Sequence, residues 1–221
     1  MATLPFDPEL LPVDAIPGEA ALAPERLEVD WLRARFADPR DWQAEAADPQ
    51  MVKRPAMTPA SVLVPLVRRP GGLTLLLTQR TAHLTDHAGQ ISFPGGRAED
   101  HDASAIETAL RETQEEIGLH RRHIDVIGSM PDYVTGTGYR VTPVVGVVTP
   151  PFELQADPNE VAEIFEVPLA FLMDGANHRR LSFELPDGSG RRVFYAMPYE
   201  RFFIWGATAG MLRNLFHFLR A

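Results

Sequence analysis

The sequence predicts an α/β protein in which helices cover both faces of a mixed β-sheet, an α/β/α sandwich. Three observations carry that expectation. Runs rich in Val, Leu and Ile stand before and after one amphipathic helix. The chain ends on a second stretch with helical spacing, and Pro-Gly and Asp-Gly turns divide the runs.

In chain order, residues 1 to about 24 are rich in Pro, Ala and acids with no period, and read as an extended arm. Pro24 to Phe36 suits a helix with Leu27, Trp31 and either Leu32 or Val29 inward, stopped before Asp38-Pro39. Ala37 to Gln50 reads as a linker. The predicted division is therefore 1–52, an N-terminal arm with a short helix and linker, and 53–221, the main domain. Ser61–Val67 and Leu73–Gln79 form a hairpin across Arg68-Arg69-Pro70-Gly71-Gly72. A short strand at Ile91–Phe93 runs into Pro94-Gly95-Gly96, which lets the chain turn sharply and approach a site with bare backbone. Beyond the central helix, strands are expected at Ile124–Met130, Val141–Val148 and Glu160–Val167, with a short helix opening at Pro168. Leu181–Leu185 and Arg192–Met197 make a second hairpin. Gly206 to Leu219 closes the chain as a helix with Ala209, Leu212, Leu215, Phe216 and Leu219 inward.

Composition excludes several classes. Hydrophobic content of 45% and 9% aromatics in 221 residues describe a globular chain with one sizeable core. A net charge of −9 argues against coating nucleic acid, which needs clustered basic residues, but not against a small anionic substrate held through a cation. The absence of Cys removes disulfides, thiolate zinc sites and cysteine nucleophiles. With no membrane-length apolar run and no secretion or peroxisomal signal, a cytoplasmic protein with no membrane partner is expected. A homodimer is compatible with this reading.

The chemistry concentrates in residues 93–119. On a helix, Ile106, Ala109, Leu110, Thr113 and Ile117 form the buried face, and Glu112, Glu115 and Glu116 occupy the adjoining one. Carboxylates so close repel unless a cation sits among them, and an all-oxygen set suits hard Mg2+ or Mn2+. Arg111, one turn before Glu115, can orient a carboxylate. Asp102 or Ser104 can cap the helix, and Gly118 suits a left-handed C-terminal residue.

Gly96, Arg111, Glu112, Glu115, Glu116, Gly118 and Leu119 resemble the Nudix box, G-x5-E-x7-R-E-U-x-E-E-x-G-U with U aliphatic. Asp102 stands for the first Glu, one extra residue precedes Arg111, and Thr113 replaces an aliphatic; either Asp102 or Glu99 would brace the loop. Upstream, Leu76-Leu77-Thr78, Arg80, Gly89 and Phe93-Pro94-Gly95-Gly96 resemble the further signature of coenzyme A diphosphatases, L-L-T-x-R-[SA]-x3-R-x3-G-x3-F-P-G-G, with Thr81 and Thr85 departing from it. The resemblance implies an α/β/α hydrolase that splits the diphosphate of coenzyme A or its derivatives into 3′,5′-ADP and 4′-phosphopantetheine compounds. It also implies metal ligands at Glu112, Glu115 and Glu116, a catalytic role for Glu115 and Arg111, and a further glutamate from a downstream loop, here Glu160. Substrate contacts are expected from Phe93, Gly95, Gly96, Arg80 and Arg68, with Arg80 assigned to the 3′-phosphate and Arg69 and Lys53-Arg54 as other candidates. ADP-ribose or another nucleoside diphosphate derivative is the alternative substrate, and a non-catalytic nucleotide binder the alternative class.

Overall fold

The computed structural model describes residues 6–45, 57–84, 87–185, 188 and 190–221. Its elements run β1 (Val13–Ala15), α1 (Val29–Ala37), β2 (Thr58–Arg69), β3 (Gly72–Arg80), β4 (Ile91–Ser92), β5 (Gly95–Arg97) and α2 (Ala105–Ile117). They continue with β6 (Ile124–Ser129), β7 (Tyr133–Val134), β8 (Tyr139–Val148), β9 (Val161–Pro168), α3 (Leu169–Leu172), β10 (Arg179–Glu184), β11 (Arg191–Tyr199), β12 (Phe202–Trp205) and α4 (Gly206–Arg220). The order β4-β3-β2-β8-β6 forms the spine of a mixed sheet, extended by β5 on β2, β7 on β8 and β9 on β3. Among the described residues, only β2 and β8 pair in parallel, from Thr58↔Tyr139 to Val67↔Val148; the other pairs are antiparallel.

The two-residue period of the strands explains the layers. Leu63 and Val67 of β2, with Leu76, Val144 and Val148, face α2 and its Ala109, Leu110 and Ile117. Val64 and Leu66, with Leu75, Leu77 and Val145, face the opposite side, where Leu212, Leu215, Phe216 and Leu219 of α4 complete the larger core. The expected sandwich is therefore present. Ile106, expected on the buried face of α2, is 37% exposed because it sits in the helix's first turn; Thr108 is buried instead.

Three differences from the sequence reading concern the periphery. The second predicted hairpin, β10–β11, does not join the main sheet; it forms a separate one in the order β1-β10-β11-β12. The N-terminal stretch supplies an edge strand to that sheet, with Val13 opposite Leu181. The described part of the expected linker is docked: Trp42 meets Phe218 edge-on with centroids 5.7 Å apart, and Glu45 contacts α4. Lys53, Arg54, Thr85 and Asp86 lie outside the described residues, as do Pro186, Asp187 and Ser189 of the second turn. Among the described residues, no helix is long and apolar enough to cross a membrane.

Candidate active site

The site is built where β2, the glycine loop and α2 meet. β5 pairs antiparallel with β2, putting Gly95 opposite Val62 and Gly96 opposite Ser61, and Leu63 N–H donates to the Pro94 carbonyl at 2.9 Å. Of the two glycines, Gly95 is required by space and Gly96 stands against a side chain. Gly95 has φ +147°, and a Cβ there would collide with the Ser61 carbonyl oxygen. A Cβ on Gly96 would lie 2.5 Å from a Glu112 carboxylate oxygen. Gly96 is thus the clearance that lets α2 bring Glu112 against the loop.

Both ends of α2 are fixed as its sequence implies. Ser104 caps the start, its hydroxyl accepting from Glu107 N–H at 3.3 Å, and Gly118 closes the end with φ +70°. Asp102 serves differently. Its carboxylate takes both Arg111 Nε and Nη2, at 3.0 and 2.9 Å, and also accepts from Thr108 Oγ1 and Glu99 N–H. Asp102 therefore braces the loop, whereas Glu99 reaches Arg111 only at 4.0 Å. The remaining Arg111 nitrogen, Nη1, holds Glu112 and Glu115 at 3.0 Å each.

The glutamates differ in environment. Glu115 has a side chain 60% exposed, Glu112 is partly buried, and Glu116 is buried at 4%. Glu116 accepts from Gly95 N–H at 3.0 Å, and Arg80 Nη1 stands 3.8 Å away on its other oxygen. Burial pushes its carboxyl up to about 8; the Gly95 N–H and Arg80 oppose this, while Glu160 and Glu112 add to it. Glu112 is shifted upward as well, first by burial, with Arg111 opposing and Glu115 and Glu160 adding. The cluster carries more negative charge than its arginines neutralise, and all its donors are oxygens. That chemistry fits a hard divalent cation. Among the described residues, no three such side chains already stand as a closed metal cage, since Arg111 holds Glu112 and Glu115 to itself.

The predicted residues separate into two groups. Arg111, Glu112, Glu115, Glu116, Gly95, Gly96 and Arg80 converge, and the charge of Glu160 adds to the upward shifts of Glu112 and Glu116. Arg80 faces Glu116, its Nη1 3.8 Å from that carboxylate. Arg68 does not join them. It lies six residues along β2 from Val62, roughly 20 Å away, because the strand carries it to the far end of the sheet. Phe93 is 2% exposed and packs in the core, so its ring is structural. Tyr133 packs its hydroxyl against Gly210 of α4, away from the carboxylates. His87 bonds Gln90 at 2.8 Å within its loop. A groove of about 390 Å3 adjoins the cluster along α2, lined by His101, Leu110, Arg111, Gln114, Glu115 and Arg121. Sequence reasoning missed the contact of Asp157, whose N–H donates to the Glu116 carbonyl at 2.8 Å; nothing local in the sequence signals it.

Residues 57–184 match the family model described as NUDIX domain. The chain is 46% identical over 156 residues to the Escherichia coli (strain K12) protein named Uncharacterized Nudix hydrolase NudL, an alignment covering 71% of this chain and 80% of that one. A Shigella boydii serotype 18 protein of the same name aligns with the same identity and coverage. Among solved structures, a Nudix hydrolase from M. smegmatis, RenU, is 24% identical with a TM-score of 0.44, covering 52% of this chain and 72% of that one.

Proposed function

Given that this chain belongs to the Nudix family, whose hydrolases act on pyrophosphate bonds, we propose that it cleaves the diphosphate of coenzyme A or its derivatives. The products would be 3′,5′-ADP and a 4′-phosphopantetheine compound. The observation that carries the reading is the signature stretch Leu76–Gly96, which meets one carboxylate at two points: Arg80 faces Glu116, and Gly95 N–H donates to it.

In this reading Glu112, Glu115 and Glu116 hold Mg2+ or Mn2+. Held there, the cation would supply neutralising charge for the diphosphate and Lewis acidity toward water. Arg111, anchored on Asp102, orients Glu112 and Glu115. Arg80 contributes a fixed positive charge beside Glu116, where negative charge grows on the phosphoryl oxygens. Glu160, whose carboxylate acts on both Glu112 and Glu116, serves as general base or further ligand. A non-catalytic binder needs no set of three carboxylates gathered on one helix, and the cluster favours the hydrolase.

The test is product analysis on a panel of coenzyme A, dephospho-coenzyme A and ADP-ribose at matched Mg2+ or Mn2+ and pH. Release of 3′,5′-ADP from coenzyme A with the highest kcat/KM is expected. Faster turnover of ADP-ribose would replace the coenzyme A reading with the nucleoside diphosphate alternative.

A further inference from the structure

We propose that Thr81 is a positioning residue for Glu160: it ties down the turn that presents this carboxylate to the catalytic helix. The inference rests on the role given to Glu160 above. The turn from Asp157 to Glu160 is held from two directions. On one side it hangs from the C-terminal end of α2, where carbonyls lack helical partners. Asp157 N–H donates to the Glu116 carbonyl at 2.8 Å, and Gln155 N–H donates to that of Ile117 at 2.9 Å.

On the other side the turn meets Thr81, at the end of β3, next to the Arg80↔Val161 pair of the β3–β9 ladder. Its N–H donates to the Glu160 carbonyl at 2.9 Å and its hydroxyl to the Asn159 carbonyl at 3.1 Å. Within the turn, Glu160 and Val161 N–H both donate to the Asp157 carbonyl, at 3.1 and 2.8 Å. Thr81 is 6% exposed, so water does not readily replace its hydroxyl.

A β-bulge aims Thr81 at this task. The β3–β9 register steps from Gln79↔Glu163 to Arg80↔Val161, leaving Ala162 unpaired. Such bulges bend a strand and redirect the side chains beside them. Consecutive residues then address the two carboxylates: Arg80 faces Glu116, and Thr81 grips the backbone of Glu160. The backbone bond survives any substitution other than proline. The hydroxyl bond is specific to Thr or Ser.

The experiment compares Thr81→Val, which keeps shape and removes the donor, with Thr81→Ser, which keeps the donor. Both are made in the wild-type and Glu160→Gln backgrounds. Thr81→Val is expected to lower kcat about tenfold with KM within about twofold, Thr81→Ser to recover most of the rate, and Thr81→Val to add nothing in the Glu160→Gln background. Hydrogen exchange of the metal-free protein gives a second readout. Amides of Glu160 and Val161 should exchange faster in Thr81→Val, while those of α2 stay as they are. An unchanged kcat, an equal loss in both backgrounds, or unchanged exchange at these amides overturns the proposal. Thr81→Ala is a second donor-free variant with the same outcomes should Val pack badly. A wild-type rate for Glu160→Gln alone would instead remove the reading of Glu160.

Discussion

Buried charge is handled in opposite ways at two places on this chain. On α4, Arg213 is 3% exposed and is surrounded by Glu19, Glu45 and His178, with Nη1 3.0 Å from Glu19, Nε 2.8 Å from Glu45 and Nη1 3.1 Å from His178 Nδ1. His217 Nε2 meets Glu45 at 2.9 Å. The hydrogen bond from His217, with help from Arg213, brings the Glu45 carboxyl down to about 2, and the bond from Arg213 lowers Glu19. On α2, burial instead pushes Glu116 up to about 8 and Glu112 upward. Charges that a protein means to keep are paired at once. Carboxylates left under-neutralised in a cleft point to a cation from outside. The α4 cluster ties the N-terminal residues to the body; the α2 cluster waits on chemistry.

Removing one charge from each cluster gives the largest contrast. Glu116→Gln should keep the fold and lower kcat by about 10²- to 10³-fold at saturating cation, since it removes charge at the centre and little bulk. Arg213→Ala should cost about 3–5 kcal/mol of stability, because Glu19 and Glu45 are left partly buried without their cation. Its kcat, measured where it remains folded, should stay near wild type. Single-turnover rates together with urea unfolding check both arms. A folded Arg213→Ala protein with a large rate defect would break the distinction.

The pH dependence of stability should carry the two signs. A carboxyl with a raised folded pKa contributes stability that is complete below about 4.5 and is lost as pH rises through about 8. Metal-free protein should therefore lose about 3–5 kcal/mol from Glu116 across that window; Glu116→Gln should flatten the slope, and added Mg2+ or Mn2+ should offset it. Glu45 behaves in reverse. Its contribution is present above about 4.5 and is lost as pH falls toward about 2. Melting curves of metal-free wild type, Glu116→Gln and Glu45→Gln from acid to mildly alkaline pH separate the two. A slope unchanged by Glu116→Gln would mean that its burial is relieved by some other group.

The two regions also differ in how far the sequence discloses them. In α2 the spacing of Arg111, Glu112, Glu115 and Glu116, the cap at Ser104 and the end at Gly118 are local, because a helix converts three- and four-residue intervals into neighbours. The glycine loop is legible as a turn directly after β4, whereas its pairing with Ser61 and Val62 of β2 is not local. The α4 cluster joins residues 194 and 168 positions apart, and Glu19 and Glu45 sit in stretches without period. No local signal marks them. Arg68 shows the same limit: the length of β2 separates it from the Gly95↔Val62 pair, and no local pattern gives that distance. Phe93 belongs to a motif, but its ring follows the core.

The smallest effect concerns a carboxylate pair the sequence leaves tied. Asp102 and Glu99 both lie in the loop before α2, and either could reach Arg111. Geometry separates them. Asp102 has a side chain 4% exposed and accepts two guanidinium bonds, whereas Glu99 is 54% exposed and 4.0 Å from Arg111. The Arg111 guanidinium, with smaller help from Glu99 N–H and Thr108, holds the Asp102 carboxyl well below the usual carboxylate range. Asp102 thus follows the rule of the α4 cluster although it abuts the other one. Asp102→Asn keeps the volume and one acceptor but loses the charge, and should cost about 1.5–3 kcal/mol. Glu99→Gln, an exposed change at long distance, should stay within about 0.5 kcal/mol of wild type. Because Arg111 also holds Glu112 and Glu115, loosening it should lower kcat in Asp102→Asn and leave Glu99→Gln unaffected. Urea unfolding and steady-state rates on both variants decide the matter, and a Glu99→Gln protein more damaged than Asp102→Asn would reverse the assignment of the brace.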